Sequence, residues 1–121
     1  MNTETTTTTL RRDGQPPLRF KGALLAKADN RSHQGERQNR WTVLALYRTA
    51  GGKYVISRDH RTCWQGESDR TAADAVATAE EVIAWLRDDN DGFLGAVSQE
   101  LLEKAAAADP AFAAAYVEEV E

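Results

Sequence analysis

RWTVLALYRTAGGKYVISR, residues 40–58, places two runs of β-branched and aromatic residues on either side of Gly51-Gly52. Runs of this composition favour strands when turn residues bound them. Glycine adopts the positive φ angles of a tight hairpin turn without a Cβ clash. We therefore predict a β-hairpin with a two-residue type I′ turn at Gly51-Gly52.

This turn sets the predicted pairing of the two strands. With Ala50 opposite Lys53, Tyr47 lies opposite Ile56. Because side chains alternate along a strand, one face would carry Trp41, Val43, Ala45, Tyr47, Tyr54 and Ile56. The other face would carry Leu44, Leu46, Arg48, Val55 and Ser57. Neither face is plainly polar, so the sequence leaves open which one the helices cover and whether an aromatic face stays open for a ligand.

Two further strands are predicted from the flanking patterns. Apolar and basic residues alternate from Leu18 to Lys27 after the extended Pro16-Pro17, which predicts a strand with a basic outer face. A turn at Asp59 to Arg61 followed by Thr62 to Gln65 predicts a short fourth strand. The polar segment Asp29 to Asn39, between the strand ending at Lys27 and the one beginning at Arg40, is predicted to be a mobile loop.

Three helices are predicted after the strands. Apolar residues recur at helical spacing over about Thr71 to Arg87 and again over about Leu94 to Ala108. Asp109-Pro110 combines a capping side chain with a proline suited to the first helical position, and so starts a third helix. The predicted fold is α+β, an antiparallel three- to four-stranded meander followed by two or three helices packing on one face.

The length of 121 residues is typical of one domain. Residues 1–14 are predicted to be a disordered Thr-rich tail, because they offer little apolar surface to offset the entropy of ordering. Residues 15–121 are predicted to form the single α+β domain. The lone Cys63 cannot form an internal disulfide, and no apolar run resembles an export signal. We therefore expect a cytoplasmic protein that is a monomer or a weak homodimer.

Charge is distributed unevenly along the chain, whose net charge is −4. From Leu10 to Arg61, twelve Lys or Arg and four carboxylates give a net charge of +8. From Thr62 to Glu121, three Lys or Arg and fourteen carboxylates give a net charge of −11. Carboxylates on rigid helices would attract a basic protein and imitate a phosphate backbone; solvated helix faces would show the same composition. We predict a protein partner, bound through Asp88, Asp89, Asp91, Glu100 and Glu103.

The basic half supports an alternative, a nucleic-acid-binding surface on the sheet and the 29–39 loop. Cations neutralise phosphates, and aromatic rings stack on the bases of single strands. The candidate residues are Arg19, Lys21, Lys27, Arg31, Arg37, Arg40, Arg48, Trp41 and Tyr47. Against this alternative, the net charge is negative and no RNP-like, KH or helix-turn-helix pattern occurs.

The sequence contains no convincing catalytic or metal-binding motif. Asp88 to Gly92 resembles the start of a calcium loop, but with Gly92 at the sixth position neither the first nor the twelfth position holds a carboxylate. His60, Cys63 and His33 are too few for a tetrahedral zinc site. A three-residue separation on a β-patterned segment also places His60 and Cys63 on opposite faces, which argues against a nucleophile and its base. We predict a non-enzymatic protein with no cofactor and no membrane partner.

Three blocks of the sequence resemble a group of small bacterial proteins. The blocks are FKGALLA at residues 20–26, RWT at 40–42 and LYRTAGGKY at 46–54. They are similar to blocks in uncharacterised proteins carried on plasmids and other mobile elements, including those called EXLDI proteins. The resemblance implies a mobile-element setting, in which small regulators and inhibitors of host defence, such as anti-CRISPR proteins, are expected. Together with the charge pattern, it suggests a protein that acts by occluding a surface of its partner.

Overall fold

The computed structural model describes residues 6–29, 40–62, 66, 69–88, 92 and 94–117. Five strands form one antiparallel sheet in sequential order, β1 (Thr6–Arg12), β2 (Gln15–Asp29), β3 (Arg40–Thr49), β4 (Tyr54–Thr62) and β5 (Arg70–Val76). Three helices follow, α1 (Ala79–Asp88), α2 (Ala96–Ala108) and α3 (Pro110–Tyr116). The predicted α+β class and antiparallel meander are confirmed, with five strands where three or four were predicted. No helix within these ranges is long and apolar enough to cross a membrane.

Strand β1 corrects the prediction of a disordered tail over residues 1–14. Thr6 to Leu10 pairs with Leu18 to Gly22 of β2 in an antiparallel register. Threonine is β-branched and suits a strand, and the edge of β2 supplies the backbone partners that the segment cannot provide for itself. Of the predicted tail, residues 1–5 lie outside the described residues.

A segment predicted to be a turn, and another predicted to be helical, both lie in strands. β4 continues unbroken through residues 59–61 to Thr62, and β5 occupies residues 70–76, where the first helix was predicted to begin. The alanine-rich sequence of β5 is compatible with the residue spacing of a helix and with that of a strand. Backbone pairing with β4 makes it a strand. The helix starts only at Ala79, where the Thr78 hydroxyl accepts a 3.2 Å hydrogen bond from the N–H of Glu81. Residues 63–65 of the predicted fourth strand lie outside the described residues.

The central hairpin has a register one residue away from the predicted one. Its loop contains three residues, and of its two glycines only Gly52 has a positive φ, of 84°. The N–H of Gly52 donates to the carbonyl of Thr49 at 3.0 Å, as in a type I turn followed by a left-handed glycine. Tyr47 therefore pairs with Val55 instead of Ile56. Because a one-residue shift reverses the face of every side chain, Tyr54 and Ile56 join the opposite face from the one predicted.

The two faces of the sheet differ in what covers them. The helices cover one, here called the helix face, and pack on Ala26, Ala28, Leu44, Leu46, Tyr54 and Ile56. Their own buried residues there include Val82, Leu86, Leu101, Leu102, Ala105 and Phe112. The other, the groove face, carries Val43, Ala45, Tyr47, Val55, Ser57 and Ala73. The sheet curls over this face, so that Val55 is 0% exposed although the helices lie on the other side.

The curl brings the turn after β1 against the last strand. The backbone N–H of Asp13 donates to the carbonyl of Thr71 at 3.1 Å, and the Asp13 carboxylate accepts from the N–H of Thr71 at 2.9 Å. Arg12 extends the contact, donating to the carbonyl of Ala73 at 3.4 Å. These bonds join the first and last strands at one end and hold the groove face concave.

Gly22 of β2 lies where the backbone of β3 leaves no room for a side chain. A Cβ at this position would lie 2.5 Å from the carbonyl oxygen of Arg48 and 3.0 Å from the Cα of Thr49. Backbone atoms of a paired strand cannot rotate away, so the pairing must loosen. We expect Gly22→Ala to lower the free energy of unfolding by about 1–3 kcal/mol, measured by urea denaturation.

The matched control for this prediction is Gly51→Ala in the hairpin loop. A Cβ on Gly51 would come no closer than 4.0 Å to another heavy atom, and its φ is not positive. We expect a change within about 0.5 kcal/mol. Equal losses for the two variants would contradict the steric explanation.

Candidate functional site

The groove face contains an open cavity of about 340 Å³ that all five strands line. Its apolar lining consists of Leu10, Leu24, Val43 and Ala45. Leu24 is 54% exposed, which is unusual for a large apolar side chain. The volume falls within the range of about 300–1,000 Å³ that is typical of small-molecule sites.

Charged residues of three strands line this cavity. Arg11 of β1, Lys27 of β2 and Arg61 of β4 line it, together with one carboxylate, Asp59. Asp59 Oδ2 lies 3.3 Å from the guanidinium of Arg61. In the part of the chain that the structure describes, neither Arg11 nor Lys27 has a carboxylate within ion-pair distance. The lining therefore carries an excess of two positive charges.

Tyr47 supplies a polar group with an aromatic body to the same cavity. Its ring packs edge to face against Phe20, with the ring centroids 5.1 Å apart. Burial, and then the negative charge of Asp59, raises the pKa of the Tyr47 hydroxyl. The phenol therefore remains protonated at neutral pH and can donate a hydrogen bond to an anion.

The outer side of the helices carries the opposite charge. Exposed carboxylates lie on α1 and α2, and Glu100 lies half-buried 3.4 Å from Lys104. The exposed positions of α2 and α3 are rich in alanine. We call these residues the acidic helical surface, which comprises Glu80, Glu81, Asp88, Glu100, Glu103, Ala107, Ala108, Ala111, Ala113 and Ala114. Asp89 and Asp91 of the predicted set lie outside the described residues.

The division of charge along the sequence becomes a division between layers. The five strands contain ten Lys or Arg against three carboxylates. The three helices contain five carboxylates against two Lys or Arg. The sheet is thus the positive layer and the helices form the negative one.

The predicted nucleic-acid-binding residues do not share one surface. A β-bulge between Leu24 and Ala26 shifts the alternation of β2 by one residue. Arg19 and Lys21 consequently lie on the helix face, whereas Lys27 lies on the groove face. The prediction that these three cations share a strand face is wrong, since simple alternation cannot anticipate a bulge.

The remaining members of that set are divided in the same way. Trp41 and Tyr47 lie on the groove face, and Arg48 lies on the helix face. The guanidinium of Arg48 is 3.7 Å from the carboxylate of Asp109, which already balances part of its charge. Arg31 and Arg37 lie outside the described residues, and only the backbone of Arg40 is described.

Asp109 has a structural role that sequence analysis found only in part. The predicted cap is confirmed, because its side chain accepts a 2.9 Å hydrogen bond from the N–H of Ala111. Asp109 is also buried, at 4% exposure, and Oδ2 accepts a 2.8 Å hydrogen bond from the hydroxyl of Tyr54. Burial and this bond raise the pKa of Tyr54. The pair joins the sheet to α3 across 55 positions of sequence, a separation that no local pattern reveals.

His60 occupies an exposed position on β4. Its Nδ1 lies 2.8 Å from the hydroxyl of Thr42 on the neighbouring strand. Partial burial of the ring and the charges of Arg58 and Arg70 lower the pKa of His60, so the neutral ring is favoured. Cys63 lies outside the described residues, among which no group of three or more His, Cys, Asp and Glu is placed to hold a metal ion.

No family model, curated protein or solved structure matches this chain. Two surfaces therefore carry the functional interpretation. One is the cationic cavity of the groove face, and the other is the acidic helical surface. They lie on opposite sides of the sheet, so each can be altered without changing the other.

Proposed function

We propose that this protein is a non-enzymatic protein-binding module, an inhibitor or regulator of the mobile-element type, which covers a basic surface of its partner with the acidic helical surface. The observation that supports the proposal is the separation of charge between the two layers. A basic partner is attracted by the helices and repelled by the cations of the sheet, which favours docking in one orientation.

The shape of the acidic helical surface suits close contact. Ala107, Ala108 and Ala113 are exposed, and alanine has no rotamer freedom to lose when a partner covers it. Short side chains also let a partner's backbone approach the helices closely. The low cost of ordering leaves more of the electrostatic attraction available for binding.

In a mobile-element setting, which the sequence resemblance implies, an acidic surface can inhibit a host protein. A host protein that binds nucleic acid presents cations where it meets phosphates. Carboxylates held on packed helices can occupy those cations and exclude the nucleic acid. Components of host defence, including CRISPR systems, belong to this class of target.

The test uses a charge variant whose fold should be unaffected. Glu80, Glu81 and Glu103 are exposed, and we expect their joint replacement by glutamine to weaken partner binding about 5- to 30-fold. Host proteins retained by the immobilised chain at low salt, after nuclease treatment, are identified and purified. The affinity of each purified pair is then measured by titration calorimetry at two salt concentrations.

The matched control removes two cations of the sheet through Arg19→Gln and Lys21→Gln, which should not weaken binding. Ala113→Arg adds bulk and positive charge to the acidic helical surface and should also weaken binding. An affinity that is the same for the wild type and the glutamate variant would refute the proposal, as would failure to retain any host protein.

Nucleic-acid binding by the sheet is the competing outcome of this experiment. It requires that Arg19→Gln and Lys21→Gln weaken the binding of a single-stranded or duplex probe in a gel shift, with an affinity that falls steeply as salt rises. The acidic variant would then bind the probe at least as well as the wild type.

A further inference from the structure

We propose that the groove face is a binding site for a small amphipathic anion, a molecule with a compact apolar body and one carboxylate, sulfonate or phosphate group. The site lies on the opposite side of the sheet from the acidic helical surface. The proposed ligand site therefore does not depend on the proposed protein-binding role.

The apolar body is indicated by the inner surface of the cavity. Val43 and Ala45 of β3 and Leu10 of β1 form part of the lining. Leu24 lies at the same cavity with about half of its surface exposed to water. An apolar ligand would remove this surface from water, which is the main favourable term in the binding of such molecules.

The negative group is indicated by the cations. Arg11, Lys27 and Arg61 come from three different strands, and only Arg61 has a carboxylate beside it among the described residues. Each of these residues belongs to a paired strand, so its backbone is already in place before a ligand arrives. The excess positive charge of the lining would attract an anion bound there.

The size of the ligand is limited by the contact that closes one end of the groove. Thr71 lines the cavity, and its backbone is bound to both the backbone and the side chain of Asp13. A continuous polymer would have to pass this bridge between the first and last strands. A cavity of about 340 Å³ with a closed end accepts a compact molecule.

A pair of fluorescent probes tests the proposal directly. 1-Anilinonaphthalene-8-sulfonate carries an apolar body with a sulfonate, and N-phenyl-1-naphthylamine is its analogue without the charge. We expect the sulfonate to bind as a one-to-one complex and the neutral analogue to bind more weakly. Decanoate should displace the sulfonate, whereas a decyltrimethylammonium ion should not.

Matched variants locate the bound probe. Lys27→Gln and Arg11→Gln should each weaken sulfonate binding about fivefold, the factor expected for loss of one partly exposed charge contact. Asp59→Asn removes the opposing charge and should strengthen it. Arg19→Gln and Lys21→Gln, on the helix face, should leave it unchanged. On titration, the amide resonances of Ala45, Ser57 and Thr71 should shift.

Two results would overturn the proposal. One is a sulfonate affinity that changes less than about twofold in the double variant of Lys27 and Arg11. The other is equal affinity for the charged and neutral probes. The triple glutamate variant of the acidic helical surface should bind the sulfonate as the wild type does, so a failure of partner binding and a failure of the groove site can be told apart.

Discussion

Replacing Phe112 by alanine is expected to lower the free energy of unfolding by about 3–5 kcal/mol, the usual cost of truncating a fully buried phenylalanine. Phe112 is 0% exposed, and its ring meets that of Tyr54 edge to face at a centroid distance of 5.0 Å. The loss combines the removal of apolar contact with the cavity that remains. Since a small domain has a total stability of about 5–15 kcal/mol, this change alone would remove about a fifth of that stability or more.

The expected size of this effect follows from the position of α3. The helix has only seven residues, and Phe112 is its one fully buried side chain, with Ala115 and Tyr116 partly buried against the same core. Urea denaturation followed by the fluorescence of half-buried Trp85 measures the loss. Phe112→Leu keeps much of the volume and should be less costly, and Ala114→Ser on the exposed side should change little. A loss below about 1 kcal/mol for Phe112→Ala would show that α3 does not support the core.

Replacing Asp109 by alanine is expected to lower the free energy of unfolding by about 2–4 kcal/mol. Loss of the helix cap accounts for about 0.5–2 kcal/mol, and the buried hydroxyl of Tyr54 left without its partner accounts for about 1–3 kcal/mol. The guanidinium of Arg48, 3.7 Å from the carboxylate, is about half exposed and adds little. Asp109→Asn keeps one acceptor oxygen for the cap and places its amide nitrogen at the Tyr54 hydroxyl, which can accept from it, so this variant should cost less.

A double-mutant cycle with Tyr54→Phe separates the cap from the hydroxyl contact. If the 2.8 Å bond between Tyr54 and Asp109 contributes as the structure indicates, the double variant should be more stable than the sum of the two single losses predicts, by about 1 kcal/mol or more. Additive losses would mean that the bond contributes nothing beyond the cap. Thermal unfolding followed by circular dichroism, fitted with a common heat-capacity change, gives the loss in free energy of unfolding for each of the two single variants and for the double variant.

The candidate surfaces were predictable to different degrees. Glu80, Glu81 and Glu103 lie in segments whose apolar periodicity indicates helix, so an acidic helical layer could be expected from sequence alone. The cavity could not, because its lining comes from five strands and depends on which face each residue adopts. The alternation of Val43, Ala45 and Tyr47 was a visible signal, although it became informative only once the pairing of β4 was known.

The sequence by itself determined the features that depend on near neighbours along the chain: the α+β class, the central hairpin, and the start of α3 at Asp109-Pro110. Tertiary structure decided which alanine-rich segment became β5, whether the threonines of β1 were ordered, and which face Tyr54 joined. The physical reason is that a strand has few internal contacts, so its existence and register depend on backbone partners supplied from elsewhere in the chain. A helix satisfies its own backbone hydrogen bonds, and its pattern can therefore be recognised before the fold is known.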